Sequence, residues 1–246
     1  MKLYRCYLEP HDFLFFASRD LAKIGITEKV VHSTALNYAI NHTSRIINFS
    51  SQPNYNADIQ KFQMRVTPAQ PLNTVPEISF SYNAVNDLDV STDANGNYPT
   101  VGKYYKIDLG SIRIFNGNEK FEFTKFEFFM FSFNDFPPRR IIRLGKKDNC
   151  CVIYFEELKD IKIRQAKEED PIKPSHLVNP LEFDGNFAID ARFPISILSI
   201  PPYHLILKCG VDKGYYLEAK DKDKKTLNIV PPKDRIEEII KFYENN

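Results

Sequence analysis

LYRCYLEPHDFLFFASRD, residues 3–20, is the stretch on which the reading of the fold turns. Leu3, Arg5, Tyr7 and Glu9 alternate with Tyr4, Cys6 and Leu8, a period of two that marks a strand. The Tyr4–Cys6–Leu8 side is the better core face. Pro10 has no amide proton to give a ladder and ends the strand. His11–Asp12 follows, and then an almost unbroken apolar run. The doublet is either a catalytic pair or a polar turn in which Asp12 accepts backbone N–H groups.

Beyond it, a helix is predicted from about Thr27 to Ile47. Thr27 suits the N-cap and Glu28 the first turn. Val31, Ala35, Tyr38, Ala39, His42 and Ile46 form a largely apolar stripe at helical spacing. The chain therefore opens strand–loop–helix. Residues 48–105 are rich in Asn, Ser, Asp and Pro, with KFQMRVT and EISFSYN as short strands and Asn95–Gly96 as a tight turn. This region reads as an insertion, a long hairpin or arm projecting from a compact body.

Strand signals dominate the remainder. YYKIDLGSIRIF leads into a turn at Asn116–Gly117–Asn118. FEFTKFEFFMFSFNDF, residues 121–136, holds eight phenylalanines in sixteen residues, and their register changes predict a bulge or a strand buried on both faces. An aromatic platform for nucleobases is the sharper reading, and core packing the favoured one. RRIIRLG and CCVIYFEEL are further strands joined through KKDN, followed by FAIDARF, ISILSI and HLILKC. Residues 215–246 make a hairpin and a short helix opened by Pro231 and Pro232, with Ile236, Ile239, Ile240 and Tyr243 on one face. The expectation is one α+β domain over 1–246, built on an antiparallel sheet.

At 246 residues, 43% hydrophobic and 26% charged, the chain has the balance of a soluble globular protein. No apolar run approaches the roughly 20 residues of a membrane span. The N-terminus lacks the uncharged stretch of a secretory signal, so a cytoplasmic location is expected. The four cysteines show no C-x-x-C spacing, and no histidine lies near Cys150–Cys151. Buried thiols are expected, with no metal and no cofactor.

The net charge of +1 hides segregation. Val66 to Thr100 contains no lysine or arginine, whereas RRIIRLGKK carries Arg139, Arg140, Arg143, Lys146 and Lys147 within nine residues. On a strand Arg139, Ile141 and Arg143 share one face, and Gly145 releases the lysines into a turn. Such an edge suits a phosphate backbone. It equally suits a solvated edge strand guarded by charge.

Catalytic signals are sparse. Neither G-x-G-x-x-G nor G-x-x-x-x-G-K-[ST] nor G-x-S-x-G occurs. A metal-free ribonuclease would need His11 paired with His32 or His42 for acid–base work. Nothing in their spacing brings them together.

YRCYLEPHDFLFFASRDLAKIGITEKVVHSTALNYAIN, VTPAQPL and PPRRIIRLGKK resemble one family: the type I-D, or Csc, form of the fifth Cas family, the crRNA handle-binding subunit of CRISPR Cascade complexes. The resemblance implies a RAMP fold, with a ferredoxin-like, RNA-recognition-type core and an inserted thumb. It implies a ribonucleoprotein subunit of antiviral defence that holds the five-prime handle of the crRNA. Its partners would be the large subunit, the backbone subunits and target DNA near the PAM end. Arg139, Arg140, Arg143, Lys146 and Lys147 would position handle phosphates, and Tyr55 or Tyr98 would stack on a displaced base. His11–Asp12 becomes a scaffold turn, and no catalysis is expected. The Gly-rich loop that RAMP proteins often carry near the C-terminus is lacking, with Gly210 and Gly214 its nearest counterparts. The competing expectations are a precursor-crRNA endoribonuclease acting through the histidines, and a purely protein-binding assembly factor.

Overall fold

The structure is a computed structural model that describes residues 1–16, 18–21, 24–41, 54–83, 101–133, 140–146, 149–182 and 188–244. The first half contains β1 (Lys2–Pro10), β2 (Arg19–Leu21), β3 (Ile24–Ile26), α1 (Ser33–Asn41), α2 (Tyr55–Ile59), β4 (Met64–Val66), β5 (Gln70–Pro71), β6 (Glu77–Asn83) and β7 (Val101–Ile107). It continues with β8 (Gly110–Phe115), β9 (Asn118–Phe123), β10 (Phe126–Ser132), β11 (Ile141–Leu144), β12 (Asn149–Glu157) and β13 (Lys159–Ala166). The last elements are β14 (Ala188–Asp190), β15 (Ser196–Leu198), β16 (Leu205–Lys208), β17 (Gly210–Lys220), β18 (Thr226–Ile229) and α3 (Ile236–Glu244).

The chain is mostly antiparallel β with few helices. Among the described residues the main sheet runs β11-β12-β1-β10-β4, with β5 also paired to β10, and every pairing is antiparallel. Tyr4, Cys6 and Leu8 of β1 face a core shared with Phe126, Phe128, Met130, Ile142 and Leu144, which α1 covers through Leu36 and Ile40. The other side of β1 and β10 is buried too. Leu3, Phe129 and Phe131 pack against Leu217, Ala219, Leu227 and Ile229 of β17 and β18 and against Ile239 of α3. The phenylalanine run is thus a strand buried on both faces, and β10 lies in a sandwich between α1 and a second sheet, β13-β17-β14 with β18 on β17. Asn116 (φ 50°) and Gly117 (φ 79°) form the tight turn between β8 and β9, where two left-handed residues match the twist of a hairpin.

The helix begins later than Thr27. The Thr27 hydroxyl donates to Phe16 O at 2.8 Å and accepts Phe16 N–H at 3.1 Å, while its own N–H goes to Tyr105 O at 3.2 Å. A residue spent on long-range pairing has no hydroxyl left for a cap. His32 caps α1 instead, its Nδ1 accepting Thr34 N–H at 3.1 Å. The predicted continuation to Ile47, including His42, lies outside the described residues.

Within the span expected as an arm, β6 and β7 pair with each other and, through β3, with β2. β4 and β5 instead join the main sheet on β10. Asn95–Gly96 and Tyr98 lie outside the described residues. The exposed edge of β4 is closed by α1. Asn41 donates Nδ2 to Met64 O (2.8 Å) and accepts Met64 N–H (3.1 Å), and Asn37 Oδ1 accepts Val66 N–H (3.0 Å). Two side-chain amides there do the work of a neighbouring strand.

Candidate nucleic-acid interface

The basic segment forms one edge of the main sheet. β11 alternates out and in: Ile142 and Leu144 are 3% exposed and sit in the core under α1, whereas Ile141 is 61% exposed and Arg143 points outward with it. The inward residues fix the strand, and this fixes the direction of Arg143. Arg140, also exposed, has its guanidinium carbon 5.9 Å from the Phe155 ring centroid. Gly145 follows with φ 80° and lies so close to the N-terminal segment that an added Cβ would stand 2.6 Å from Phe15 O. The backbone there needs a residue with no side chain. Lys146, exposed in this turn, donates its N–H to Phe15 O at 2.9 Å. Arg139 and Lys147 lie outside the described residues.

His11–Asp12 is the other half of this junction. His11 N–H donates to Cys150 O at 2.9 Å, and Asp12 accepts Phe13 N–H at 2.7 Å and Asn149 Nδ2 at 3.1 Å. Asp12 therefore holds the turn after β1 and reaches across to the start of β12. The doublet forms a turn that braces the basic edge. His32 is tied into the fold through both ring nitrogens. Its Nδ1 takes a backbone N–H, so its Nε2 must be the protonated nitrogen that donates to Tyr203 O at 3.1 Å. Burial lowers its pKa to about 4. Both ring nitrogens are in use.

Register places more beside the arginines than the sequence alone revealed. On β12 and β1, Arg143 pairs with Cys150, Ile141 with Val152, Glu9 with Val152, and Tyr7 with Tyr154. Because alternate residues share a face, Arg143, Ile141, Val152, Tyr154 and Tyr7 line one side of the sheet. Tyr154 is 51% exposed, and the Arg5 guanidinium lies 5.5 Å from the Tyr7 ring centroid. Of the buried acids on this face, Glu9 is met by Lys125 Nζ at 3.4 Å and His11 Nε2 at 3.5 Å, and Glu127, the β10 partner of Tyr7, is paired with Arg5 Nε. The face thus offers aromatic rings, an aliphatic surface and a cationic edge. The signal in sequence was the alternation of β1 itself, which puts Tyr7 opposite the core face. Only the pairing of distant strands brings Tyr154 next to it.

Tyr55 is elsewhere. It lies on α2 beside the β4 edge, its ring 5.9 Å from Tyr38 and 6.3 Å from Tyr203. Among the described residues, no group of three or more His, Cys, Asp or Glu side chains is placed to hold a metal, and no helix is long and apolar enough to cross a membrane.

Residues 1–235 match the family model of the type I-D CRISPR-associated protein Cas5/Csc1. The chain belongs to this family. The resemblance carried by the opening strand and the basic stretch is borne out for nearly the whole Csc1-type chain. No curated protein matches its sequence. Among solved structures it is similar to a CRISPR protein from Archaeoglobus fulgidus, with 12% identity and a TM-score of 0.43, covering 94% of this chain and 99% of that one. It is also similar to a chain of the type III-B Cmr-beta complex bound to cognate target RNA and AMPPnP, with 10% identity and a TM-score of 0.40, covering 97% and 88%.

Proposed function

We propose that this Cas5/Csc1-family chain is a non-catalytic subunit of a type I-D effector complex that holds the repeat-derived five-prime handle of the crRNA. The observation that carries the reading is the rigid basic edge. Arg143 and Lys146 project from a strand and turn whose opposite side chains are buried and whose backbone is tied to Phe15. With the strand and turn already fixed, only the two side chains are left to order on meeting phosphates, and the Tyr7–Tyr154 row beside them offers ring faces to unpaired bases. Arg140, Arg139 and Lys147 belong to the same segment and would extend the phosphate track.

We read the order β12-β1-β10-β4, with α1 between β1 and β4 in the chain, as a ferredoxin-like 4-1-3-2 core extended at one edge by β11. The remaining surfaces would meet the large subunit, the backbone subunits and target DNA near the PAM end, in the cytoplasm. A small net charge suits a subunit that reaches full affinity only with neighbours in place.

The test is to tag the chain, recover it gently from its host and sequence the RNA that accompanies it. Guide RNAs sharing one repeat-derived five-prime end, with other effector subunits, are expected. Recovery free of RNA would overturn the proposal.

A further inference from the structure

At the β4 edge, opposite the basic strand, lies a cavity of about 240 Å³. Its walls are aromatic. Tyr38 stands edge-on to Tyr55 and to Phe62, with rings 5.9 and 5.1 Å apart, and Tyr203 stands edge-on to Tyr55 at 6.3 Å. Its remaining lining includes polar groups with capacity to spare. Asn37 is fully buried, and its Oδ1 holds Val66 N–H while its Nδ2 has no hydrogen-bond partner among the described residues. Arg65 is 2% exposed and uses Nη1 for Ile59 O and Asp234, while its Nε has no hydrogen-bond partner among the described residues. Glu182, 7% exposed, accepts the Ser33 hydroxyl on Oε1 at 2.9 Å, which leaves a carboxylate further lone pairs. Burial raises this carboxyl to about 7, opposed by Arg65, Ser33 and Asn179. Buried donors without acceptors are rare in native proteins and call for an explanation.

We propose that this cavity takes one unpaired purine base, guanine by preference. The volume is below the range of about 300–1,000 Å³ usual for drug-sized ligands, which suits a single base rather than a run of nucleotides. Edge-to-face tyrosines leave ring faces for stacking, the means by which extruded bases are held. Guanine offers O6 and N7 as acceptors and N1–H and N2–H₂ as donors. The Glu182 carboxylate can take both guanine donors, N1–H and N2–H₂, and Asn37 and Arg65 on the same wall carry donors for O6 and N7 once their side chains turn toward the cavity. Uracil has a single N–H and cannot satisfy the same set. Lys233 lines the cavity and would meet the attached phosphate. The inference rests on the reading of the chain as an RNA-binding subunit, and it makes Tyr55 part of a base pocket remote from Arg143.

The test uses the full chain with three probes: a uridine octamer, the same octamer carrying one central guanosine, and guanosine monophosphate. One guanosine should tighten binding about tenfold over uridine alone. Tyr55→Ala and Glu182→Gln should each bring the guanosine octamer down to the affinity of the uridine octamer measured on the same variant, and Tyr55→Phe should keep the gain, each variant first shown to be folded by circular dichroism. The Arg143→Ala, Lys146→Ala double variant should weaken both RNAs equally and leave the monophosphate unaffected. Monophosphate binding that Tyr55→Ala and Glu182→Gln abolish, without any gain from guanosine in RNA, would support the guanine pocket and assign it to a free nucleotide. If neither RNA bound while that monophosphate dependence held, the basic-edge reading would fail and the pocket would stand. Absence of both guanosine preference and monophosphate binding would overturn the proposal, as would a preference that survives in both variants.

Discussion

The Asp12 carboxylate accepts the side-chain amide of Asn149 at 3.1 Å, tying the turn after β1 to the first residue of β12. Between them, Gly145 and Lys146 cross Phe15 at backbone distance. Asp12→Ala removes the acceptor for both Phe13 N–H and Asn149. We expect a loss of about 1–3 kcal/mol in urea denaturation. RNA affinity should fall a few-fold with an unchanged salt slope, because no cation is removed and only its placement suffers.

Gly145→Ala tests the close approach directly. A Cβ at 2.6 Å from Phe15 O, on a residue at φ 80°, forces the turn to move. The strain is expected to cost about 1–3 kcal/mol, read as a lower denaturation midpoint. An unchanged midpoint would show that the turn yields easily and that Lys146 is not held as described.

Arg143→Ala and Lys146→Ala act on phosphates, and Tyr154→Ala on bases. Each lost phosphate contact should make the slope of log affinity against log salt shallower by about 0.7 for single-stranded RNA. Tyr154→Ala should instead weaken binding at every salt concentration with the slope intact, by an amount of about 1–3 kcal/mol if one base stacks there. A slope that does not move in either basic variant would take those side chains off the phosphate track.

The pH dependence of stability follows from three buried groups. Burial lowers His32 and His176 from 6.5 to about 4, so between those values the unfolded chain binds protons that the folded one refuses. Their contribution is full above pH 6.5 and is lost on acidification toward 4. His176 is fixed as the Nδ1–H tautomer, since its Nε2 accepts Val230 N–H at 3.0 Å. Glu182 acts in the opposite sense: burial raises it from 4.5 to about 7, so its contribution is full below 4.5 and is lost as pH rises to 7. Two groups outweigh one, and the protein should lose stability as pH falls from 6.5 to 4.5. Glu182→Gln should steepen that loss by about 1.4 kcal/mol per pH unit, measured by urea denaturation across the range.

What could be read from the chain was local. The alternation of β1, the Asn116–Gly117 turn and the double burial of β10 follow from neighbours a few residues apart. The start of α1 was misplaced because Thr27 spends its hydroxyl on Phe16, a contact that no local pattern announces. The basic edge was legible as charge, and its direction followed from Ile142 and Leu144. The Tyr7–Tyr154 row and the cavity around Tyr55 were not legible, because each depends on strands or loops remote in sequence coming into register. Even Asn37 and Asn41, two unremarkable polar residues in a helix, reveal their purpose only once β4 lies beside them.

Those two asparagines have a further consequence. By meeting the outer backbone groups of β4, they leave the main sheet with unlike ends: one stoppered by the molecule's own amides, the other, at β11, with no strand beyond it among the described residues. Any neighbour that extended the main sheet by sharing backbone hydrogen bonds would have to arrive from the β11 side. A protomer of this kind can finish a row of stacked sheets but cannot hand it on, which makes it directional as a building block.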